Sequence, residues 1–456
     1  MADSETVNDR TPLLERKESI GSLDSCDKLA LRALENDDIQ IKAIIDPENA
    51  KYGITNIIDV TEESDCMSPV EGNLPETPEP SDIVCIFTVA FDTRAGNIIE
   101  WYLPCDCNVE GIEFRAMASG SHRVQTDFIY FKRGKLFGLA CFENMRVDNA
   151  TERGARMKSV GVLALSYTSL HFHMNFLRKQ VRLLLENPGS YSEMEEYYEN
   201  HKGSYPTFDA FPDHSDTVST KLWNNITPLM KITHPAGCFS QFLNFFGERI
   251  FVLWKLSLLK KRIIFFSPPP IGVVCYRVYC TISLTAHHNS EIGHVSAEPF
   301  FYVNIADLDH LGTEKVYVAC TTEKIFQSKT SLFDLYVDNQ NFISDTPVIQ
   351  KLMSTSFSDR KKYEDLCSLQ SQFSSIQGDV YVDSNETWFM RYFMNLNDKL
   401  FRKLLDVSRS DDKQWTIEHM LAVGLDPVND RTFVMELADT YGIDIVPPAD
   451  ALCCSP

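Results

Sequence analysis

The chain has 456 residues, 44% of them hydrophobic, which suits about three globular domains with a sizeable buried core. Its formal net charge of −21 argues against binding a nucleic-acid backbone and against non-specific attraction to an anionic membrane. The 13 cysteines are odd in number and follow no secretory signal pattern, so they read as reduced thiols in a cytosolic protein. The sequons at Asn149, Asn225 and Asn385 would then stay unmodified.

In chain order, residues 1–80 hold 19 acidic and 7 basic side chains, 7 − 19 = −12, and read as a disordered acidic tail that becomes Pro-rich at its end. A helical patch is plausible at 28–45. Near the start, Asp9, Leu13 and Leu14 form an acidic-dileucine pattern of the kind that a clathrin adaptor recognises. Strand pattern begins abruptly at Asp82. Residues 83–91 and 97–103 flank the turn Asp92-Thr93-Arg94-Ala95-Gly96, residues 127–131 and 136–142 flank Lys132-Arg133-Gly134-Lys135, and a fifth strand is expected at 160–165. An amphipathic helix over 169–186 ends at Asn187-Pro188-Gly189, and the acidic, aromatic stretch 190–226 reads as a linker.

The most informative stretch is 231–338. Phe239, Phe242, Leu243 and Phe246 share one helical face, and Gly247 stops that helix. Residues 250–259 are apolar almost all round, the mark of a buried helix. A short strand at 262–266, a proline stop and a helix at 271–284 follow. Strands at 300–305, 316–320 and 333–337, with a helix from Thr322, complete a mainly parallel sheet covered on both faces. A charged connector at 358–363 leads to helices at 387–407, from Thr416 to Gly424, and from Asn429 to Gly442 with Phe433, Leu437 and Tyr441 on one face.

Covalent chemistry finds no foothold. There is no phosphate-binding Gly-Lys-Ser/Thr loop. Ser119-Gly120-Ser121-His122 lacks the Gly-x-Ser-x-Gly elbow and reads as a polar loop. His171 and His173, two apart on a helix, diverge. His287, His288 and His294 lack partners at ligand spacing, as do Cys105 and Cys107. Asp106, Glu110 and Glu113 read as a solvated acidic loop. Cys453-Cys454-Ser455-Pro456 is a poor prenylation signal. No catalytic, cofactor-binding or metal residues are assigned. No transmembrane segment is expected, because charges interrupt the apolar region 239–284.

A family resemblance enters through two runs. Trp254-Lys255 followed by Leu258-Leu259-Lys260-Lys261-Arg262-Ile263-Ile264 resembles the helix-then-strand core of a DENN module. Val318-Ala319-Cys320-Thr321-Thr322-Glu323-Lys324-Ile325-Phe326 is similar to that family's Gly-Thr-Thr-Asn turn, with Cys320 in place of the glycine and Glu323 in place of the asparagine. The resemblance extends over about 83–445. It implies an α/β fold of tripartite design: a longin-like antiparallel-sheet lobe (81–189), a linker (190–226), a central, mostly parallel α/β lobe (227–350) and an α-rich C-terminal region (351–456).

The resemblance also implies a guanine-nucleotide exchange factor for a Rab-type small GTPase, working without covalent chemistry or cofactor from the cytoplasm or, through partners, on endo-lysosomal membranes. GTPase-contact residues are not assignable from any short motif. Two alternatives stand beside it. One is a non-catalytic GTPase-binding or adaptor scaffold. The other is a folliculin-like GTPase activator, which needs an exposed arginine at the phosphates, with Arg94 and Arg133 on hairpin turns as candidates.

Overall fold

The computed structural model describes residues 82–148, 152, 154–203, 239–293, 297–376 and 384–447. Expectations placed on 1–80, on the later part of 190–226 and on the C-terminal cysteines fall outside these residues. Ten strands form one mixed sheet, in the order β10-β9-β6-β8-β7-β3-β4-β5-β1-β2.

The antiparallel half comprises β1 (Ile83–Asp92), β2 (Gly96–Leu103), β3 (Thr126–Arg133), β4 (Leu136–Arg146) and β5 (Ala155–Ala164). The β1–β2 hairpin is closed by Asp92, whose carboxylate accepts the N–H groups of Arg94 (2.8 Å) and Ala95 (2.7 Å). One turn of helix, α1 (Ile112–Arg115), lies between β2 and β3. Helix α2 (Met174–Glu186) packs Leu177, Val181, Leu184 and Leu185 onto β4 and β5. The stretch 190–203 is ordered: α3 (Ser192–His201) lies on β1 with Met194 fully buried. Tyr191, just before it, stacks on Trp101 with centroids 4.8 Å apart.

In the other half, α4 (Phe239–Phe246) buries the four predicted side chains, and Gly247 takes a φ of 56° as the chain turns into α5 (Ile250–Leu258). Every residue of α5 is buried, Lys255 included. Strand β6 (Ile263–Phe266), helix α6 (Gly272–Ser283), β7 (Glu298–Tyr302), α7 (Leu308–Thr313), β8 (Tyr317–Thr321) and β9 (Leu335–Asp338) follow. Strands β7, β8, β6 and β9 are mutually parallel, and β10 (Asn341–Ile343) closes the edge antiparallel to β9. Alternation along β6 explains why this strand is apolar on both sides. Ile263 and Phe265 join the large core with α4 to α6, while Ile264 and Phe266 join a second core with Leu311, Phe326 and Tyr336.

Helices α8 (Pro347–Leu352), α9 (Phe357–Ile376), α10 (Ser384–Ser408), α11 (Ile417–Ala422) and α12 (Arg431–Thr440) complete the chain. Four expectations need correction. Residues 358–363 are the first turns of α9, not a connector, because Ser356 and Asp359 cap it reciprocally: Asp359 N–H reaches Ser356 Oγ (3.1 Å) and Ser356 N–H reaches Asp359 Oδ2 (2.9 Å). Strand β7 ends at Tyr302, since Asn304 caps a 3-10 turn over Ile305–Asp307. The segment after Thr322 is a 3-10 turn, Lys324–Ser328, not an α-helix. Asn429 does not cap the last helix: its N–H donates to Asp426 Oδ1 (2.9 Å), and Asp430 occupies the position before Arg431. Thr416 does cap α11 as expected.

Two buried polar nodes tie the helices together. Lys255 Nζ lies 2.6 Å from Asp359 Oδ2 and 2.6 Å from Asp430 Oδ1, joining α5, α9 and the start of α12. Trp254 Nε1 donates to Asn397 Oδ1 (2.7 Å) on α10, and Asn397 Nδ2 donates to the carbonyls of Leu284 and Ala286 (2.8 Å each).

Candidate functional site

The two halves of the sheet meet at one registered pair, Phe131 of β3 opposite Phe301 of β7. Phe301 has a φ of 54° at a bulge in the β7–β8 ladder, a conformation that costs a non-glycine residue. An aromatic cluster holds it there, with Tyr130, Tyr167 and Phe137 at 5.5, 5.6 and 6.4 Å between centroids. Helix α6 spans the join by packing on β3, β7 and β8. Its first N–H groups are received by Asp127 of β3, at 2.7 Å from Ile271 N and 3.0 Å from Gly272 N. Burial pushes the Asp127 carboxyl up to about 6, against the pull of those N–H groups.

Beside this seam lies a cleft of about 730 Å³. One wall is the end of the first hairpin and residues 114–122; the other is residues 302–306 with Glu323. Side-chain-to-backbone bonds fix both walls. Asn97 Nδ2 donates to the carbonyls of Glu113 (3.1 Å) and Met117 (3.3 Å). Asn304 Nδ2 crosses to Phe114 O (3.1 Å), and Ser119 N–H crosses to Tyr302 Oη (3.0 Å). Tyr302 Oη also meets Thr322 Oγ1 at 3.4 Å, and Arg115 pairs with Asp307.

On this fixed frame stand large apolar side chains that face water. Phe91 is 38% exposed, Phe114 49% and Ile305 54%, all on the cleft wall. Ile325 follows Glu323 and is likewise exposed. A clustered exposed apolar surface held in place by polar bonds is the form of a protein-docking site. Two buried polar atoms on the same walls lack hydrogen-bond partners. Ser121, 3% exposed, has an unpartnered hydroxyl, and one carboxylate oxygen of Glu323 is buried without a partner. Burial holds the Glu323 carboxyl above the usual carboxylate range, opposed by the Ile305 N–H and reinforced by Asp307.

The residues weighed from sequence distribute unevenly around this site. The 119–122 loop lines the cleft, but the Ser121 hydroxyl bonds to nothing, His122 included, so no nucleophile–base pair exists. Arg133 is engaged with Asn108 and with Glu110 O (2.9 Å), which removes it as a free catalytic arginine; Arg94 remains exposed on its turn. The same contacts order the acidic loop, with Asp106 and Glu110 exposed and Glu113 half-buried. His173 is buried between Tyr197 Oη (2.9 Å) and Asp82 (3.2 Å), and His171 bonds Thr168 O (2.8 Å). His288 pairs with Asp398 (3.0 Å), and His294 falls outside the described residues. Among the described residues no cluster could hold a metal ion, and no helix is long and apolar enough to cross a membrane. Asp9, Leu13 and Leu14 are outside the described residues. Phe114, Tyr302, Asn304 and Ile305 were not legible as site residues. The one available signal was Phe114, a lone aromatic in a charged segment.

A family model described as DENN domain-containing protein 11 matches residues 86–347. A protein named DENN domain-containing protein 11 from Xenopus laevis is 50% identical over 390 residues, covering 84% of this chain and 90% of its own. Its namesake from Rattus norvegicus is 49% identical over 386 residues, covering 82% and 84% respectively. The namesake from Danio rerio is 49% identical over 388 residues, covering 82% and 78%.

Proposed function

Because the chain belongs to the family of DENN domain-containing protein 11, we propose that it is a guanine-nucleotide exchange factor for a Rab-type small GTPase. DENN proteins are generally Rab exchange factors. In this reading the antiparallel half is the longin-like lobe, residues 227–350 form the central lobe, and residues 351–456, with α9 to α12, form the C-terminal region.

The observation that carries the proposal is the cleft at the seam, with Phe114 and Ile305 exposed on opposite walls. Exchange asks little of covalent chemistry and much of differential binding. A GTPase holds GDP with about −12 kcal/mol at nanomolar affinity. The exchange factor must therefore bind the nucleotide-free form several kcal/mol better than the GDP-bound form. An interface of about 1,600 Å² supplies that scale of energy, and it works best when its apolar anchors are pre-ordered. Engagement of Arg133 by the 108–110 backbone disfavours the activator alternative, although Arg94 keeps it in play. The dileucine at Leu13 and Leu14 belongs to the same proposal, as a route to adaptor complexes on endo-lysosomal membranes.

The test is GDP release from a panel of purified Rab-type GTPases. Full-length protein should accelerate release from its cognate, and Ile305→Asp or Phe114→Asp should abolish acceleration without changing the melting temperature by more than a degree or two. Equal affinity for nucleotide-free and GDP-loaded forms across the panel would remove the exchange reading and leave the scaffold.

A further inference from the structure

We propose that Cys107 is a site of reversible oxidation by hydroperoxides, and that Cys85 is the thiol that resolves the oxidised form into a Cys85–Cys107 disulfide. The proposal goes beyond the exchange reading and does not depend on what docks at the cleft.

The pair is assembled where the first hairpin ends. Ile86 of β1 stands in register with Leu103, the last residue of β2. The chain then turns, with the Cys107 N–H donating to Pro104 O (3.1 Å), and this turn returns Cys107 to β1. There the Cys85 thiol and the Cys107 sulfur are hydrogen-bond partners. The sulfurs also approach the carbonyls of their next residues, Ile86 O at 3.6 Å and Asn108 O at 3.9 Å, which are long contacts and weak competitors. Both cysteines are free thiols, as is Cys105. Cys85 is fully buried in β1. Cys107 is 4% exposed, yet Cys105, Asp106 and Asn108 on either side of it are exposed, so it lies directly under the surface of its loop.

The surroundings give the two sulfurs different work. Arg133, at the end of β3, clamps the same loop through Asn108 O, Asn108 Oδ1 (2.6 Å) and Glu110 O (2.9 Å). The Cys85 thiol donating to it, and then the Arg133 guanidinium, hold the Cys107 thiol below its ordinary value against burial and Asp106. The same hydrogen bond, together with burial, pushes the Cys85 thiol up, so that it keeps its proton. A thiolate is the form that attacks a peroxide, and a neighbouring protonated thiol is the form that resolves the product. Closeness alone does not suffice. Cys275 and Cys320 lie 3.7 Å apart between α6 and β8, but both are buried in the large core, and burial holds the Cys320 thiol well above its ordinary value.

The chemistry closes in two steps. The Cys107 thiolate attacks the terminal oxygen of a hydroperoxide, the O–O bond breaks, and an alkoxide or hydroxide leaves; sulfur is oxidised to a sulfenic acid while the peroxide is reduced. Cys85 sulfur then displaces the sulfenic oxygen, its proton departs with that oxygen as water, and the S–S bond forms. A thiol reductant restores both cysteines.

The test uses the full-length, fully reduced protein and hydrogen peroxide. After exposure at pH 7 the remaining thiols are blocked, and the cysteine peptides are mapped by mass spectrometry. A Cys85–Cys107 linked peptide that dithiothreitol removes is expected, with Cys275 and Cys320 recovered as free thiols on unfolding. The rate of linking should rise less between pH 7 and pH 9 than the peroxide oxidation of glutathione, an ordinary thiol mostly protonated at pH 7. Cys85→Ser keeps a hydroxyl donor, and in it dimedone should trap a sulfenic acid at Cys107. Arg133→Gln should slow linking about threefold or more, and Arg133→Lys, which keeps the charge but loses the fork, should stay nearer wild type. A link through Cys105, a link between Cys275 and Cys320 in place of this one, or no link at all would overturn the proposal. So would a pH dependence as steep as that of glutathione. The map and the pH profile of the wild-type protein decide the matter even where a variant fails to fold.

Discussion

Replacing Lys255 by methionine tests the central node of the helical layer. The ammonium is held at 2.6 Å from one oxygen of Asp359 and 2.6 Å from one of Asp430, and Lys362 approaches the other oxygen of Asp359 at 3.1 Å. All four side chains are buried, and two cations balance two anions. Methionine keeps the volume, so little of the effect would come from a cavity. What it removes is the counter-charge: two buried carboxylates would share Lys362 alone. Breaking a buried pair on one side costs about 3–5 kcal/mol. Urea unfolding followed by circular dichroism should show an unfolding free energy lowered by that amount, read as a lower midpoint at constant slope. The double variant Lys255→Met with Asp430→Asn should recover part of the loss, because the orphaned charge is gone. Desolvation opposes ionisation of Asp359, yet the attraction of Lys255 and Lys362 prevails and its carboxyl lies below the ordinary value. Its contribution is thus complete above the unfolded-state value of about 4 and fades as pH falls below it. Wild type should therefore lose its advantage over Lys255→Met in acid. A loss below about 1 kcal/mol at pH 7, or one independent of pH, would refute the account.

Three further outcomes follow from the same packing. Trp254→Ala should cost about 3–5 kcal/mol from the cavity, with a further 1–3 kcal/mol because Asn397 Oδ1 loses its indole donor; urea midpoints measure the sum. Asp127 has a folded value of about 6 against 3.8 unfolded, so the folded state retains a proton that the unfolded state has released, and its contribution is full below pH 3.8 and lost as pH rises through 6. Asp127→Asn should flatten the stability–pH curve of that window. Gly161→Ala would place a methyl 2.3 Å from the Phe87 ring and 2.7 Å from the Leu139 carbonyl, and a melting experiment should register a loss of about 1–3 kcal/mol or more.

The elements that sequence made legible are those whose information is local. Phe239, Phe242, Leu243 and Phe246 announce one buried helix face whatever lies beneath it, and the unbroken apolar run of α5 announces burial all round. Residues 358–363 show the opposite case. Asp359 is separated from Lys255 by 104 residues, so a charged stretch that looks solvated is the cap of a helix and half of a buried ion pair. Asp430 repeats the lesson at a separation of 175 residues: Lys255 takes one oxygen, and the other receives the Asp426 N–H.

The site itself is the least local feature of all. Pairing of Phe131 with Phe301 makes one sheet of two patterns that look independent, one alternating and one continuously apolar. No periodicity encodes which edge strand meets which, because either edge offers the same backbone donors and acceptors. Asp127 favours the observed choice chemically, since this alignment delivers its carboxylate to the first N–H groups of α6. Once the edges join, loops 114–122 and 302–306 face each other, and bonds such as Asn304 to Phe114 O and Ser119 to Tyr302 Oη fix the gap between them. The exposed Phe114 and Ile305 are thus a consequence of the join, since each half alone supplies one wall of the cleft. A partner that needs both walls reads the alignment of the two halves as well as their surfaces. If the chain docks a GTPase as proposed, loosening the seam by Phe301→Ala should weaken that binding in a titration with the nucleotide-free GTPase even though no exposed cleft residue is changed.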